Sequence, residues 1–311
     1  MVVGFGYLMT FLRWYGLGSA GLSFFATRLR VEVALLAEPL FEHWYEKRAE
    51  IDYRALLNAN FCVAAILISF GGLIGKRVAL GKWLDVRDAG GTISIHMFGA
   101  YFGLSASRIL GKPVDVRLEK KSSRASDVIS LIGTVFLWLY WPSFVSGGLT
   151  PGTFEAQRAI TNTIIALLGR GKLSPVHVQN STLAGGVAIG ATANFPLGPF
   201  GALVVGSMAG ASSARGFAKV TPALDAIVHD SCGVGNLHGT PSLLGGAVSA
   251  IVPIWIDGAG APKTQLAGIA LTLVISIASG SFTGSLMSLF AEPDVPTADD
   301  SPYWEVADDL G

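Results

Sequence analysis

The stretch Asp230-Ser231-Cys232-Gly233-Val234-Gly235-Asn236-Leu237-His238-Gly239-Thr240-Pro241 decides the reading of the chain, because Asp88-Ala89-Gly90-Gly91-Thr92-Ile93-Ser94-Ile95-His96 precedes it with the same plan. In each, an Asp stands eight residues ahead of a His, glycine lies between them, and an apolar run follows. On a helix this separation sets the two side chains about 80° apart around the axis and roughly 12 Å along it. The Asp is placed to cap a helix near a membrane surface, and the His projects about two turns deeper. Either motif alone fits a capping Asp and a hydrogen-bonded core His. An imidazole inside an apolar span is costly, however, and marks a polar path. Its repetition predicts two equivalent half-sites at the interface of an internal, pseudo-symmetric repeat.

Composition places the chain in a membrane. Of 311 residues, 51% are hydrophobic and only 14% are charged, against about 25% charged in an ordinary soluble domain. The 39 glycines suit helices that must approach closely in lipid, where hydrophobic burial no longer drives them together. Net charge is zero, which removes the electrostatic case for nucleic acid. Cys62 and Cys232 sit in apolar surroundings and imply neither a disulfide framework nor a metal site. No phosphate loop, nucleophile elbow or metal-ligand cluster is present, so neither an enzyme nor a cofactor is expected.

Apolar runs fall near 1–13, 18–40, 56–74, 92–110, 127–147, 159–169, 176–194, 198–218, 231–256 and 264–290. With about 20 residues needed per crossing, they predict an all-α polytopic bundle of nine to ten helical segments. Residues 1–290 form the membrane domain and 291–311 a polar cytoplasmic tail. The run 18–40 carries Arg28, Arg30 and Glu32, and the four-residue spacing lets Arg28 pair with Glu32. The run 159–169 is too short to cross alone and reads as re-entrant, interfacial or the remnant of a longer helix. Basic residues add a topological test, since Lys76 to Arg87 holds four and Arg108 to Arg124 holds six. Both segments favour the cytoplasm, yet only the run 92–110 separates them, which predicts a span missing between Lys76 and Asp88. His43, His177 and His229 lie near span ends and are expected at the interface. The glycosylation pattern at Asn180-Ser181-Thr182 is discounted because it lies in an apolar run. Gly185-Gly186 and Gly245-Gly246 read as helix contacts.

Several stretches resemble the Rh glycoprotein branch of the ammonium transporter family. They are VGFGYLMTFL (Val3–Leu12), NANFCV (Asn58–Val63), Asp88 through Leu104 with ISIHMFGAYFGL, GTVFLWLYWPSF (Gly133–Phe144), VHVQNSTLAGG (Val176–Gly186) and NLHG (Asn236–Gly239), with YWE (Tyr303–Glu305) in the tail. The resemblance implies a homotrimer in the plasma membrane, each protomer with its own narrow pore for ammonia or ammonium, and for carbon dioxide as a second neutral gas. It implies that His96 and His238 are the twin histidines of that pore and that Phe61 and Phe144 form the phenylalanine gate at its outer mouth. Asp88 and Asp230 match paired aspartates that orient the half-site helices and help attract the cation. Against the family pattern this chain is a shortened form: the first span is absent, a helix is lost between Lys76 and Asp88, and Gly235 replaces an Asn beside Asn236. The alternative reading is a non-conducting, truncated relative that serves as an assembly partner or is an incomplete gene product.

Overall fold

Helices supply every regular element among the described residues of the computed structural model, which are 2–11, 16–42, 52–72, 86–111, 122–167, 175–256 and 261–290. The order is α1 (Val2–Leu8), α2 (Gly16–Glu42), α3 (Tyr53–Gly72), α4 (Phe98–Leu110), α5 (Arg124–Ser146), α6 (Phe154–Leu167), α7 (Pro175–Ile189), α8 (Gly198–Arg215), a short α9 (Thr221–Leu224), α10 (Thr240–Ile256) and α11 (Pro262–Ser288). A π-helical segment, Thr92–Met97, leads into α4, and a second, Gly235–Gly239, leads into α10. The missing span between Lys76 and Asp88 falls largely on 73–85, and the tail on 291–311; both lie outside the described residues.

The long helices are inside-out in the manner lipid requires. α5 buries Ser126, Ser130, Gly133 and Thr134 on one stripe and turns Val128, Ile132, Val135 and Leu139 outward. α11 repeats the arrangement: Gln265, Gly268, Thr272, Ser276, Gly280 and Gly284 face inward, and Leu266, Val274, Ile277 and Phe282 face out. Lipid solvates the apolar faces as well as protein would, so the small and polar residues gather where backbones must touch. Arg124–Ser146, Gly235–Ile256 and Pro262–Ser288 are long and apolar enough to cross a bilayer. Arg28 does pair with Glu32, at 3.4 Å on an exposed face of α2.

Glycine sets how near the helices come. A Cβ on Gly280 would lie 2.3 Å from the Phe102 carbonyl oxygen of α4, and one on Gly245 would lie 2.1 Å from that of Ala188 in α7. The short run at 159–169 becomes a helix that starts earlier, at Phe154, because polar Glu155, Gln157 and Arg158 can lie on its outer face. Its buried Asn162 donates to the carbonyls of Ala193 and Phe195 at 2.9 and 3.1 Å, which fastens α6 to the turn after α7.

Substituting Gly245 by Leu is expected to destabilise the bundle by about 1–3 kcal/mol or more through overpacking. Thermal unfolding in detergent checks this, with Leu243→Ala on the more exposed face of α10 as the neutral control.

Candidate functional site

Both half-sites are built by one local device. Gly91 and Gly233, each three residues after its Asp, adopt left-handed backbone at φ 69° and 75°, a conformation that costs little only without a Cβ. The turn bends the chain so that the carboxylate meets the first free N–H groups of the following helix. Asp88 accepts from the Ile93 and Ser94 amides at 3.0 and 2.8 Å and from the Ser94 hydroxyl at 2.9 Å. Asp230 accepts from the Val234 and Gly235 amides, each at 2.9 Å. Both aspartates therefore cap buried helix starts whose N–H groups would otherwise be orphaned. The replacement at Gly235 leaves the second cap intact, since the bond uses its backbone.

Each His then falls within a π-helical turn, His96 in Thr92–Met97 and His238 in Gly235–Gly239. Such turns are rare and recur at functional sites. The first half-site is also tied to α7. Gly90 donates to the Gly190 carbonyl at 2.9 Å, while the Thr92 hydroxyl donates to Val187 and accepts from the Ala191 amide, each at 2.7 Å. Ahead of it, the buried Gln265 side chain of α11 bonds the Arg87 backbone at both its N–H and its carbonyl, at 2.8 and 2.9 Å.

The two rings meet. His96 Nδ1 lies 3.1 Å from His238 Nδ1 across 142 residues of sequence, and the ring planes agree within 3°. Both residues are buried, and His96 Nε2 has no partner. Open space flanks the pair on two sides. One narrow space is lined by Phe5, His96, Leu137, Tyr140, Trp141 and Phe144. The other is lined by His238 and again Phe5, with Leu8, Leu67, Val234 and Leu237 among its walls. Phe61 and Phe144 are also together, edge to face at 5.2 Å and 81°, and Phe144 lies 6.0 Å from His96. Asp88, Asp230 and Phe61 are not among the described residues lining either cavity.

Phe5 and Trp141 are among the wall residues not singled out from sequence. Both occur inside stretches quoted for their resemblance, but nothing in a lone apolar ring says which way it faces. His229 differs from expectation: it is buried, bonded to Asp225 at 3.0 Å, with its carbonyl accepting from Ser107. Asn180 is buried and donates to the Val176 carbonyl, which bars it from glycosylation.

The Ammonium Transporter Family profile matches residues 1–296. This chain belongs to the ammonium transporter family. The chain is 36% identical to ammonium transporter Rh type C of Xenopus laevis, covering 99% of this chain and 78% of that one. With Rh type B of Bos taurus the identity is 36%, covering 98% and 80%. The fold superposes on the solved Rh50 structure of Nitrosomonas europaea with a TM-score of 0.82 and 31% identity, covering 99% of this chain and 89% of that one. Mep2 of Saccharomyces cerevisiae, at 19% identity and a TM-score of 0.71, shares the fold. The alignment with the Xenopus protein runs over 371 positions against 311 residues here, so that relative carries stretches with no counterpart in this chain. Family members are multi-pass membrane transporters and not enzymes.

Replacing Asp88 or Asp230 by Ala orphans two buried N–H groups and is expected to cost about 1–3 kcal/mol. Replacement by Asn should recover most of that at position 88, where a single oxygen accepts both amides, and only about half at position 230, where each oxygen accepts one. Melting midpoints of the purified variants distinguish a capping role from a purely electrostatic one, in which Asn would do no better than Ala.

Proposed function

We propose that this chain is a channel for neutral ammonia, with His96 and His238 as the twin histidines at the centre of a hydrophobic pore. The observation that carries the reading is the 3.1 Å contact of the two rings with a separate cavity beside each. Ammonium is mostly charged at neutral pH, and moving an ammonium-sized ion into a low-dielectric medium costs of order 20 kcal/mol in the Born limit. Ammonia bears no such charge. A dry lumen that takes the base without its proton therefore separates ammonium from sodium and potassium, which have no neutral form.

The shared Nδ1 contact needs one ring to donate and the other to accept. The donating ring then presents an acceptor at its Nε2, and the accepting ring presents an N–H there. Ammonia both donates and accepts, so it finds a complementary nitrogen on each side of the pair, and exchanging the shared proton exchanges the two roles. Phe61 and Phe144 form the outer gate: their ring faces attract the arriving cation by about 0.5–2 kcal/mol and then close the lumen to water. Phe5 lies between the two cavities, 6.2 Å from His238, and keeps them apart. Asp88 and Asp230 hold the half-site helices in place and add negative charge that favours cation arrival. Carbon dioxide, small and uncharged, fits the same route.

All lumen groups belong to one chain, so each protomer of a homotrimer in the plasma membrane would conduct on its own. Residues 1–290 make the transport domain and 291–311 a cytoplasmic tail.

Stopped-flow ammonia uptake into proteoliposomes, read as internal alkalinisation, tests the reading. His96→Ala or His238→Ala should lower the flux about tenfold or more, the equivalent of roughly 1.4 kcal/mol for one lost hydrogen bond. No flux from the unmutated chain would leave the non-conducting assembly-partner reading. In the same vesicles Phe5→Ala should join the cavities and raise water and proton leak, whereas unchanged leak would take Phe5 out of the barrier.

A further inference from the structure

Trp141 is held in place by shape alone. It is buried, and its indole Nε1 has no hydrogen-bond partner. The ring lies parallel to His96 within 9°, with centroids 5.5 Å apart, and meets Phe144 at 6.0 Å and 64°. Its remaining edge rests on Gly186 of α7. A Cβ there would lie 2.6 Å from Nε1 and 2.9 Å from Cδ1, with Leu167 Cδ2 of α6 also at 2.9 Å. Real carbon contacts do not come so close, and an indole has only two side-chain torsions with which to yield. A displaced ring would be pushed toward the narrow space that Trp141 lines together with His96.

The neighbouring glycine acts differently. A Cβ on Gly185 would strike the Ala166 carbonyl oxygen at 2.1 Å, so Gly185 serves helix approach. Gly186, which the sequence also suggests as a helix contact, faces a ring of the lumen wall.

We propose that Gly186 is a positioning residue for conduction. Its missing side chain sets the depth at which Trp141 seats, and through the indole it sets the plane of the His96 ring and the width of the lumen beside it. This rests on the proposed passage of ammonia along the histidine pair. Taking Nε1 from 2.6 Å out to ordinary contact at 3.4 Å moves the ring edge by about 0.8 Å, and that ring stacks directly on His96.

The test compares Gly186→Ala with two double variants, Gly186→Ala/Trp141→Phe and Gly186→Ala/Leu167→Ala, by ammonia flux in proteoliposomes and by melting midpoint. Gly186→Ala should lose about tenfold in flux. Phe at 141, lacking the edge that meets the new methyl, should restore flux to within about threefold of Trp141→Phe alone, and Leu167→Ala should not. Should the single variant fail to fold, the doubles decide on the same terms. Flux within about twofold of the parent in Gly186→Ala, rescue by Leu167→Ala, or rescue by neither would overturn the proposal. Midpoints keep the two readings separate. A silent parent chain sinks conduction, whereas additive midpoints for positions 141 and 186 sink the contact proposed here.

Discussion

Backbone N–H groups deep in a membrane protein have no water to turn to, and the two Asp-capped turns answer that constraint at the point where the structure most needs it. A helix that begins inside the bundle leaves its first amides unpaired, at several kcal/mol per group in an apolar setting. Asp88 and Asp230 accept two such amides each. Because the capped starts are fixed, the residues eight positions on are fixed too, and two rings from distant parts of the chain arrive within 3.1 Å of each other. Neither carboxylate is among the described residues lining the two cavities; each acts there by fixing the helix start that carries a histidine.

The rest of the bundle supports this geometry with small residues. Gly280 and Gly284 let α11 lie against α4, which carries the first half-site, and Gly245 lets α10, which carries the second, lie against α7. Gln265 and Thr92 add hydrogen bonds where packing alone would leave polar atoms stranded. Polar contacts thus gather at helix junctions around the site, and the apolar side chains of α5 and α11 turn outward.

The half-sites are clear in the sequence because Asp and His are each rare in an apolar span and their spacing repeats. Membrane class and most of the helices followed from run length, since hydropathy tracks the bilayer's thickness directly. Two things stayed out of reach. The beginning of α6 at Phe154 was hidden because its outer residues are polar, and the wall roles of Phe5 and Trp141 were hidden among 17 Phe and 7 Trp residues. The local sequence says that a ring is apolar; only the packing of α1, α5 and α7 says what it faces. His229 differs for the same reason: its Asp225 partner is four residues away in sequence, but its bond to Ser107 of α4 spans 122 residues.

The sequence distance between the two imidazoles has a consequence for biogenesis. When His96 is added to the growing chain, its mate is still 142 residues from being translated, so the earlier ring is made well before the nitrogen it will bond. Thr92 and Gly90, fastened to residues 187–191, provide an intermediate anchorage roughly a hundred residues into that wait. Among the described residues lining the two spaces beside the rings, His238 comes last in the chain, so the second turn is what completes them.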